Sequence, residues 1–239
     1  MKSLRQELRR APEFLRWRRP LLVLLLAVRE LFRPFLYWYV FDIFVTDLRL
    51  SVPESYSKET LDIRIYAGNK DLPKALEDLT SVDDLASADI ELRLKRGDVV
   101  AVVYADGHVV GCMWLTFSTG MELAFGTNWR IEPAEALRYD SFVSPEWRGR
   151  AIHSLLNNAL NNYARERGVV RTLGGISVLN SQSSSLARHF RKSRAMRVTI
   201  VHLRGLNWTH RRALGAPLKT RFDTLPGFPV RSASITRRK

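Results

Sequence analysis

The sequence predicts an α/β (α+β) domain, a mixed, mostly antiparallel sheet with helices on both faces, preceded by a basic, aromatic-rich amphipathic segment. Three observations carry this. Two apolar runs, DVVAVVY and HVVGCMWLTF, are joined by Ala105-Asp106-Gly107, and Asp-Gly between such runs is a strong hairpin signal. A helical period over 151–167 stands between two extended stretches, ALRYDSFV and VVRTLGGISVL, so parallel pairing belongs in the second half of the chain. The full order, strand, helices, hairpin, strand, helix, strand, helix, strand, puts both periods in one chain, which layers helices on a sheet.

At 239 residues the chain suits one domain with appendages. Apolar residues at 46% and charged ones at 26% exclude wholesale disorder. The net charge of +14 is unevenly placed: residues 1–33 hold nine Lys or Arg against three Glu, and residues 186–239 hold fourteen against one Asp, which leaves a mildly acidic middle. Two basic ends favour an anionic surface. In the N-terminal stretch the apolar run Leu21–Val28 is eight residues long before Arg29, Glu30 and Arg33 interrupt it. A spanning helix needs roughly 20 apolar residues, and no small-residue cleavage site of a secretory signal follows. Residues 1–50 therefore read as a basic amphipathic segment whose aromatic cluster, Phe32, Phe35, Tyr37, Trp38, Tyr39 and Phe41, suits a lipid headgroup boundary. The competing reading is that these aromatics cover the domain itself or a sister subunit, which would make the chain a homo-oligomer. Nucleic acid is disfavoured, because the basic ends hold no recognisable binding motif. The single Cys112 lies in an apolar strand pattern, so a disulfide framework is excluded and a buried structural role is expected.

The elements follow in order. SVPESYS at 51–57 is a turn-rich linker, and the domain proper is expected over 58–222. LDIRIYA alternates as a first strand, residues 70–98 suit one or two short helices, and 98–118 is the hairpin. Residues 119–134 read as a long irregular loop, which suggests a binding element. ALRYDSFVSP is extended and stops at Pro145. The helix over 151–167 aligns Ile152, Leu155, Leu156, Ala159, Leu160 and Tyr163, with Gly168 as its stop. A strand at 169–179, a helix at 181–193 and a strand at 196–205 follow. Residues 207–218 resist assignment, PLKTRF suggests a final edge strand, and 223–239 reads as a basic mobile tail.

One stretch points to chemistry. VSPEWRGRAIHSLL, residues 143–156, passes from strand through a proline turn into a helix. The first N–H groups of such a helix lack partners, and with the positive end of its dipole they suit a phosphate. Gly149 permits close approach, and Arg148 and Arg150 add charge. Taken alone, an Arg-Gly turn in front of a helix is a common structural corner.

The surrounding motifs resemble the GNAT superfamily of acyl-CoA-dependent N-acyltransferases. YDSFVSPEWRGRAIHSLL is similar to the family's strand, V-x-P turn, Arg-x-x-Gly-x-Gly/Ala loop and helix. GDVVAVVYADGHVVGCMWL looks like its second and third strands, and VLNSQSSSLARHFRKSRAM like its strand-end Asn, helix and closing Gly-Phe. The resemblance spans roughly residues 60–205. It implies acetyl-CoA or another acyl-CoA as co-substrate, with no metal. It implies a pantetheine arm along Phe142 and Val143, a pyrophosphate on the loop of Arg148, Gly149, Arg150, Ala151, Ile152 and His153, and Asn180 orienting the pantetheine or capping a helix. Ala151 and His153 stand where the family has its middle Gly and its final Gly or Ala. Gly174-Gly175 would suit the cleft where two strands part, or an ordinary bulge.

Acyl transfer to an amine needs a base, an oxyanion donor and an acid for the thiolate. The resemblance places the donor at the N–H near Val143. For the base, Asp140 comes first and Glu122 second, with a structural carboxylate as the other reading of Asp140. His189 stands near the family's usual acid, a Tyr that this chain lacks, and also suits a solvent-facing helical position. The function expected is N-acyl transfer, most simply acetyl transfer, to an amine on a lipid, sugar or polysaccharide precursor. The location expected is cytoplasmic, peripheral to the inner face of the membrane. The alternative is a catalytically silent acyl-CoA-binding or scaffold module there.

Overall fold

The computed structural model describes residues 28, 36–50, 61–80, 87–118, 121–124, 127–129, 131–178, 180, 193–203, 206–214 and 234–237. They form eleven strands: β1 (Leu36–Asp47), β2 (Asp62–Ala67), β3 (Val99–Ala105), β4 (His108–Thr116), β5 (Met121–Ala124), β6 (Thr127–Trp129), β7 (Glu135–Val143), β8 (Arg171–Ser177), β9 (Ser193–Leu203), β10 (Leu206–Ala213) and β11 (Ser234–Arg237). Three helices accompany them, α1 (Leu72–Leu79), α2 (Ser87–Lys95) and α3 (Ile152–Glu166). Nine strands make one sheet in the order β11-β10-β9-β1-β8-β7-β4-β3-β2, and β5 and β6 pair separately. Only the β7–β8 ladder is parallel; the other ladders are antiparallel.

The run VVAVVYA of β3 is apolar at every position because the sheet is covered on both faces. Val99, Ala101 and Val103 meet Ile152, Leu156, Leu160 and Ala164 of α3. Val100, Val102 and Tyr104 meet Ala75 and Leu79 of α1 and Ile90 and Leu94 of α2. Each fully buried Leu or Ile contributes roughly 1.5–3 kcal/mol relative to exposure, so the two layers clamp β3 and β4 from opposite sides. Cys112 is buried in the second layer.

The largest departure from the sequence reading is β1. Residues 36–47 were expected within the interfacial segment 1–50, yet they form an inner strand paired with β8 on one side and β9 on the other. β8 and β9 follow one another in the chain and run in the same direction, since β1 is antiparallel to both; β1 fills the gap between them. Phe41 and Ile43 are 3% and 0% exposed and pack against Leu137, Leu173 and Val198. The residues from Tyr37 onward therefore lie in the sheet backbone, and of their aromatic side chains Phe41 is in the core with Tyr39 packed against it. Asp42, also buried, is held by Arg197 Nε at 2.7 Å and by Arg194 Nη1 at 3.3 Å.

Smaller corrections follow the same logic. Within 119–134, expected to be irregular, β5 and β6 pair Met121 with Trp129 and Glu122 with Asn128. Residues 207–218 contain β10, whose polar sequence gives no alternation but whose backbone pairs along β9. Within the expected tail 223–239, residues 234–237 add β11 to that edge. The expected helix at 181–193, the edge strand at 217–222 and most of 1–35 lie outside the described residues. No described helix is long and apolar enough to cross a membrane.

Candidate active site

The site is a wedge between two parallel strands. β7 and β8 pair from Glu135↔Arg171 to Arg138↔Gly174 and no further, although β7 continues to Val143 and β8 to Ser177. The cause lies on β7. Asp140 has a left-handed backbone, φ 38°, and the β4–β7 register shifts there, between Met113 and Trp114. An extra residue on one strand bends it and increases its twist, which carries the end of β7 away from β8. Gly174, at the apex, has space around it: a Cβ would come no closer than 4.0 Å to Arg138 O. Gly175 is tighter, since a Cβ there would meet Phe41 at 3.3 Å.

The bulge also changes which side chains share a face. Strict alternation would set Tyr139 opposite Phe142; instead both pack with Trp114 and Cys112 on the α2 side. Asp140 reaches the same side, where Arg93 Nη2 of α2 donates to its Oδ2 at 2.7 Å. The Arg93 guanidinium in turn lies 5.0 Å from the Trp114 ring centre and 5.1 Å from that of Tyr139. The Tyr139 hydroxyl donates to the buried Asp98, which also binds Arg96. Burial, followed by the nearby Asp98 charge, pushes the Tyr139 phenol well above its ordinary range, so this hydroxyl stays protonated. Asp140 thus stands at the wedge as half of an ion pair.

Backbone direction can be read from one bond. The Ser144 N–H donates to Val110 O at 2.9 Å, so Ser144 and, by antiparallel alternation, Phe142 turn their backbone groups toward β4. Val143 then turns its groups away from β4, into the wedge. Its carbonyl accepts from Arg148 Nε at 3.3 Å, consistent with that direction.

Beyond β7 a 3₁₀ turn, Pro145–Trp147, leads to a corner with two left-handed residues, Gly149 at φ 84° and Ala151 at φ 61°. Ala151 is the N-cap of α3 and its carbonyl accepts from Ser154 and Leu155. No backbone acceptor lies on the N–H groups of Gly149, Ala151 and Ile152 among the described residues. Arg148 and Arg150 are exposed at the mouth, and Arg150 lies 4.8 Å from the centre of the Trp147 ring. The side chain of Ile152 is buried, so only its N–H faces the corner.

α3 sits this close to the sheet because of Gly111. A Cβ there would fall 2.8 Å from Ile152 Cγ2 and 3.1 Å from Phe142 O. Glycine is therefore required at 111 for the start of α3 to lie against β4 and bring the corner beside the wedge. The sequence reading missed this residue; the signal was a glycine inside an otherwise apolar strand.

Asp140, Phe142 and Val143 share the end of β7, and the corner of residues 148–153 follows it, tied to Val143 O by Arg148 Nε; Asp140 itself pairs with Arg93 on the α2 side. Asn180 closes a turn beyond β8, its N–H donating to Ser177 O at 2.9 Å. Glu122 is on β5, and His189 lies outside the described residues. Among the described residues no group of three or more His, Cys, Asp or Glu is placed to hold a metal ion.

A wedge between parallel strands, beside a helix start whose N–H groups lack backbone acceptors and two exposed arginines, defines an α/β domain with its candidate site at a sheet opening. The comparisons narrow this class. Residues 67–190, more than half of the chain, match the model of the Acetyltransferase (GNAT) family, and the protein belongs to that family. Similar solved structures include an aminoglycoside N-acetyltransferase, AAC(6')-Iy, in complex with CoA, at 21% identity, covering 54% of this chain and 89% of that one, with a TM-score of 0.44. Others are a ribosomal-protein-alanine N-acetyltransferase from Brucella melitensis biovar Abortus (18%, 54% and 90%, 0.39) and a putative GNAT-family acetyltransferase from Novosphingobium aromaticivorans (18%, 71% and 68%, 0.44). No curated protein sequence matches the chain significantly.

Proposed function

We propose that this protein is an N-acetyltransferase that moves an acyl group from acetyl-CoA, or another acyl-CoA, to an amine. The observation that carries the reading is the end of the parallel ladder at Arg138↔Gly174, with the Val143 backbone turned into the opening beside the corner. The residues present fit an acyl-CoA. N–H groups of Gly149, Ala151 and Ile152 and the side chains of Arg148 and Arg150 receive the diphosphate, and the wedge admits the pantetheine arm along Phe142 and Val143. Acyl-CoA, when bound, supplies the thioester carbonyl. The Val143 N–H donates to the carbonyl oxygen as it gains charge, a contribution that is stronger in a site sheltered from water.

Asp140 is the candidate base, and its bridge to Arg93 at 2.7 Å sets a condition: an acceptor ammonium must share that carboxylate with the guanidinium. Under this reading Asp140→Asn lowers kcat by about 10²-fold or more, with KM for acetyl-CoA little changed. A loss of only a few-fold would return Asp140 to a structural role. Glu122 and His189 remain secondary candidates, and Asn180 a candidate pantetheine contact. The acceptor is placed in the same proposal as an amine on a lipid-linked or saccharide precursor, because residues 1–35 are basic with an apolar run at Leu21–Val28. Vesicles of anionic phospholipid should therefore sediment the full chain but not one lacking residues 1–30. Equal sedimentation of both would remove the membrane from the account.

The test of the donor is a calorimetric titration with acetyl-CoA and a longer acyl-CoA. Single-site binding is expected, weakened about thirtyfold by the double charge reversal Arg148→Glu/Arg150→Glu, since each exposed reversal is worth on the order of 1 kcal/mol. Wild-type protein that binds no acyl-CoA would sink the reading.

A further inference from the structure

At the bulge two consecutive residues of β7 turn to the same side. A regular strand alternates, yet Tyr139 and Asp140 both meet α2. The Tyr139 hydroxyl donates to Asp98, between α2 and β3, and Arg93 Nη2 donates to Asp140 Oδ2 at 2.7 Å. The β4–β7 pairing skips Asp140, since Met113 stands opposite Ser141 and Trp114 opposite Tyr139. Asp140 is therefore the extra residue, and in an unbulged strand its side chain would leave for the α3 side. The Arg93 guanidinium spans this point: it lies 5.0 Å from the Trp114 ring centre and 5.1 Å from that of Tyr139, the pair beside the extra residue. Arg93 Nη1 is buried without a hydrogen bond, so among the described residues the Arg93 charge is committed to Asp140. On either side of Arg93, Ile90 and Leu94 are buried against Val100 and Val102 of β3. The base from which Arg93 reaches is thus set by the core and not by Arg93 itself.

We propose that Arg93 is a positioning residue that holds the β7 bulge, and with it the wedge, in the open form. Its bond to Asp140 exists when residue 140 turns toward α2 and is lost in a regular strand. Such a contact biases the strand toward the bulge, whereas one common to both forms would favour neither. Further contacts of Asp140 in the bulged form add to that bias and do not cancel it. A regular β7 would continue beside β8 past Gly174 and close the opening. For its ligand this rests on the acyl-CoA reading; the bulge itself is a matter of geometry. The role is separate from proton transfer, because it needs the backbone form of residue 140 and not an ionised carboxylate. Asp140→Asn keeps an acceptor for Arg93 and enters positive φ readily, so it should bind CoA like wild type whatever it does to turnover.

The test pairs CoA titration of the full chain with NMR of the ligand-free protein. A positive φ brings an amide proton close to its own Hα, so wild type should show a strong intraresidue NOE at Asp140. Arg93→Met should weaken that NOE and bind CoA about tenfold more weakly, the loss expected for a charge-assisted hydrogen bond. The double variant Arg93→Met/Asp140→Gly should return to within about threefold of wild-type affinity, because glycine enters positive φ without an anchor. A folded Arg93→Met that keeps both the NOE and the affinity overturns the proposal. So does a double variant that binds as weakly as Arg93→Met, since Arg93 would then act on the ligand or the fold by another route. Should Arg93→Met not fold, Arg93→Gln, a shorter neutral donor, gives the same comparison. If no form of the protein binds CoA, the acyl-CoA reading fails, while the ligand-free NOE of wild type and variant still decides whether Arg93 holds the bulge.

Discussion

Ala151 holds a backbone conformation that its side chain disfavours. At φ 61° and ψ 8° it is left-handed, a region that costs an L-residue about 1–2 kcal/mol. Replacing it with glycine removes that strain but widens the unfolded ensemble by about 0.4–1 kcal/mol. Ala151→Gly is therefore expected to be neutral or to stabilise by up to roughly 1 kcal/mol in urea melts, and to leave the corner's N–H groups in place. A clear destabilisation would mean that Cβ contacts, rather than backbone geometry, hold the corner. Asp140 tolerates its own positive φ more easily, because Asp enters this region more readily than most residues, and its carboxylate is anchored by Arg93. The sequence pointed to Asp140, Val143 and residues 148–153 because they stand in one continuous motif. It could not reveal the clamp of Arg93 on Trp114, Tyr139 and Asp140, whose members lie on three elements and meet only once the sheet has formed.

Among the elements, α3 and β1 carry the most consequence. Gly111 lets α3 start against β4, and a Cβ at 2.8 Å from Ile152 Cγ2 must push the first turn outward. Overpacking of this kind costs about 1–3 kcal/mol, so Gly111→Ala should lower stability by that amount in urea melts and weaken acetyl-CoA binding together with it. Unchanged stability would show that Ile152 turns aside freely. β1 makes a sharper forecast. A chain starting at residue 31 should melt cooperatively, whereas one starting at residue 48 loses the strand between β8 and β9 and should not fold. A cooperative melt of the shorter chain would contradict the topology. The hairpin and α3 were legible because Asp-Gly and a 3.6 period are local signals. β1 was not, since LYWYVFDIFV suits either a lipid boundary or a strand covered on both faces, and only its partners decide. β10 was illegible for the opposite reason: NWTHRRA has no apolar alternation, and backbone pairing along β9 defines it.

At the scale of the whole molecule, the sheet places charge and site in one arrangement. β9 brings Arg194 and Arg197 to the buried Asp42 of β1, so part of the C-terminal basic excess is offset by one carboxylate of the sheet. The wedge opens on the other side of β8, between two helical layers, with the arginines of the corner at its mouth. Everything argued for the chemistry depends on an acyl-CoA lying in that opening. The most direct measurement is an amide chemical-shift map of the full chain titrated with CoA. Saturable shifts are expected at Ser141–Val143, Arg148–His153 and Gly175–Ser177, the two open strand edges and the corner between them. Saturable shifts elsewhere, or none at millimolar CoA, would contradict it.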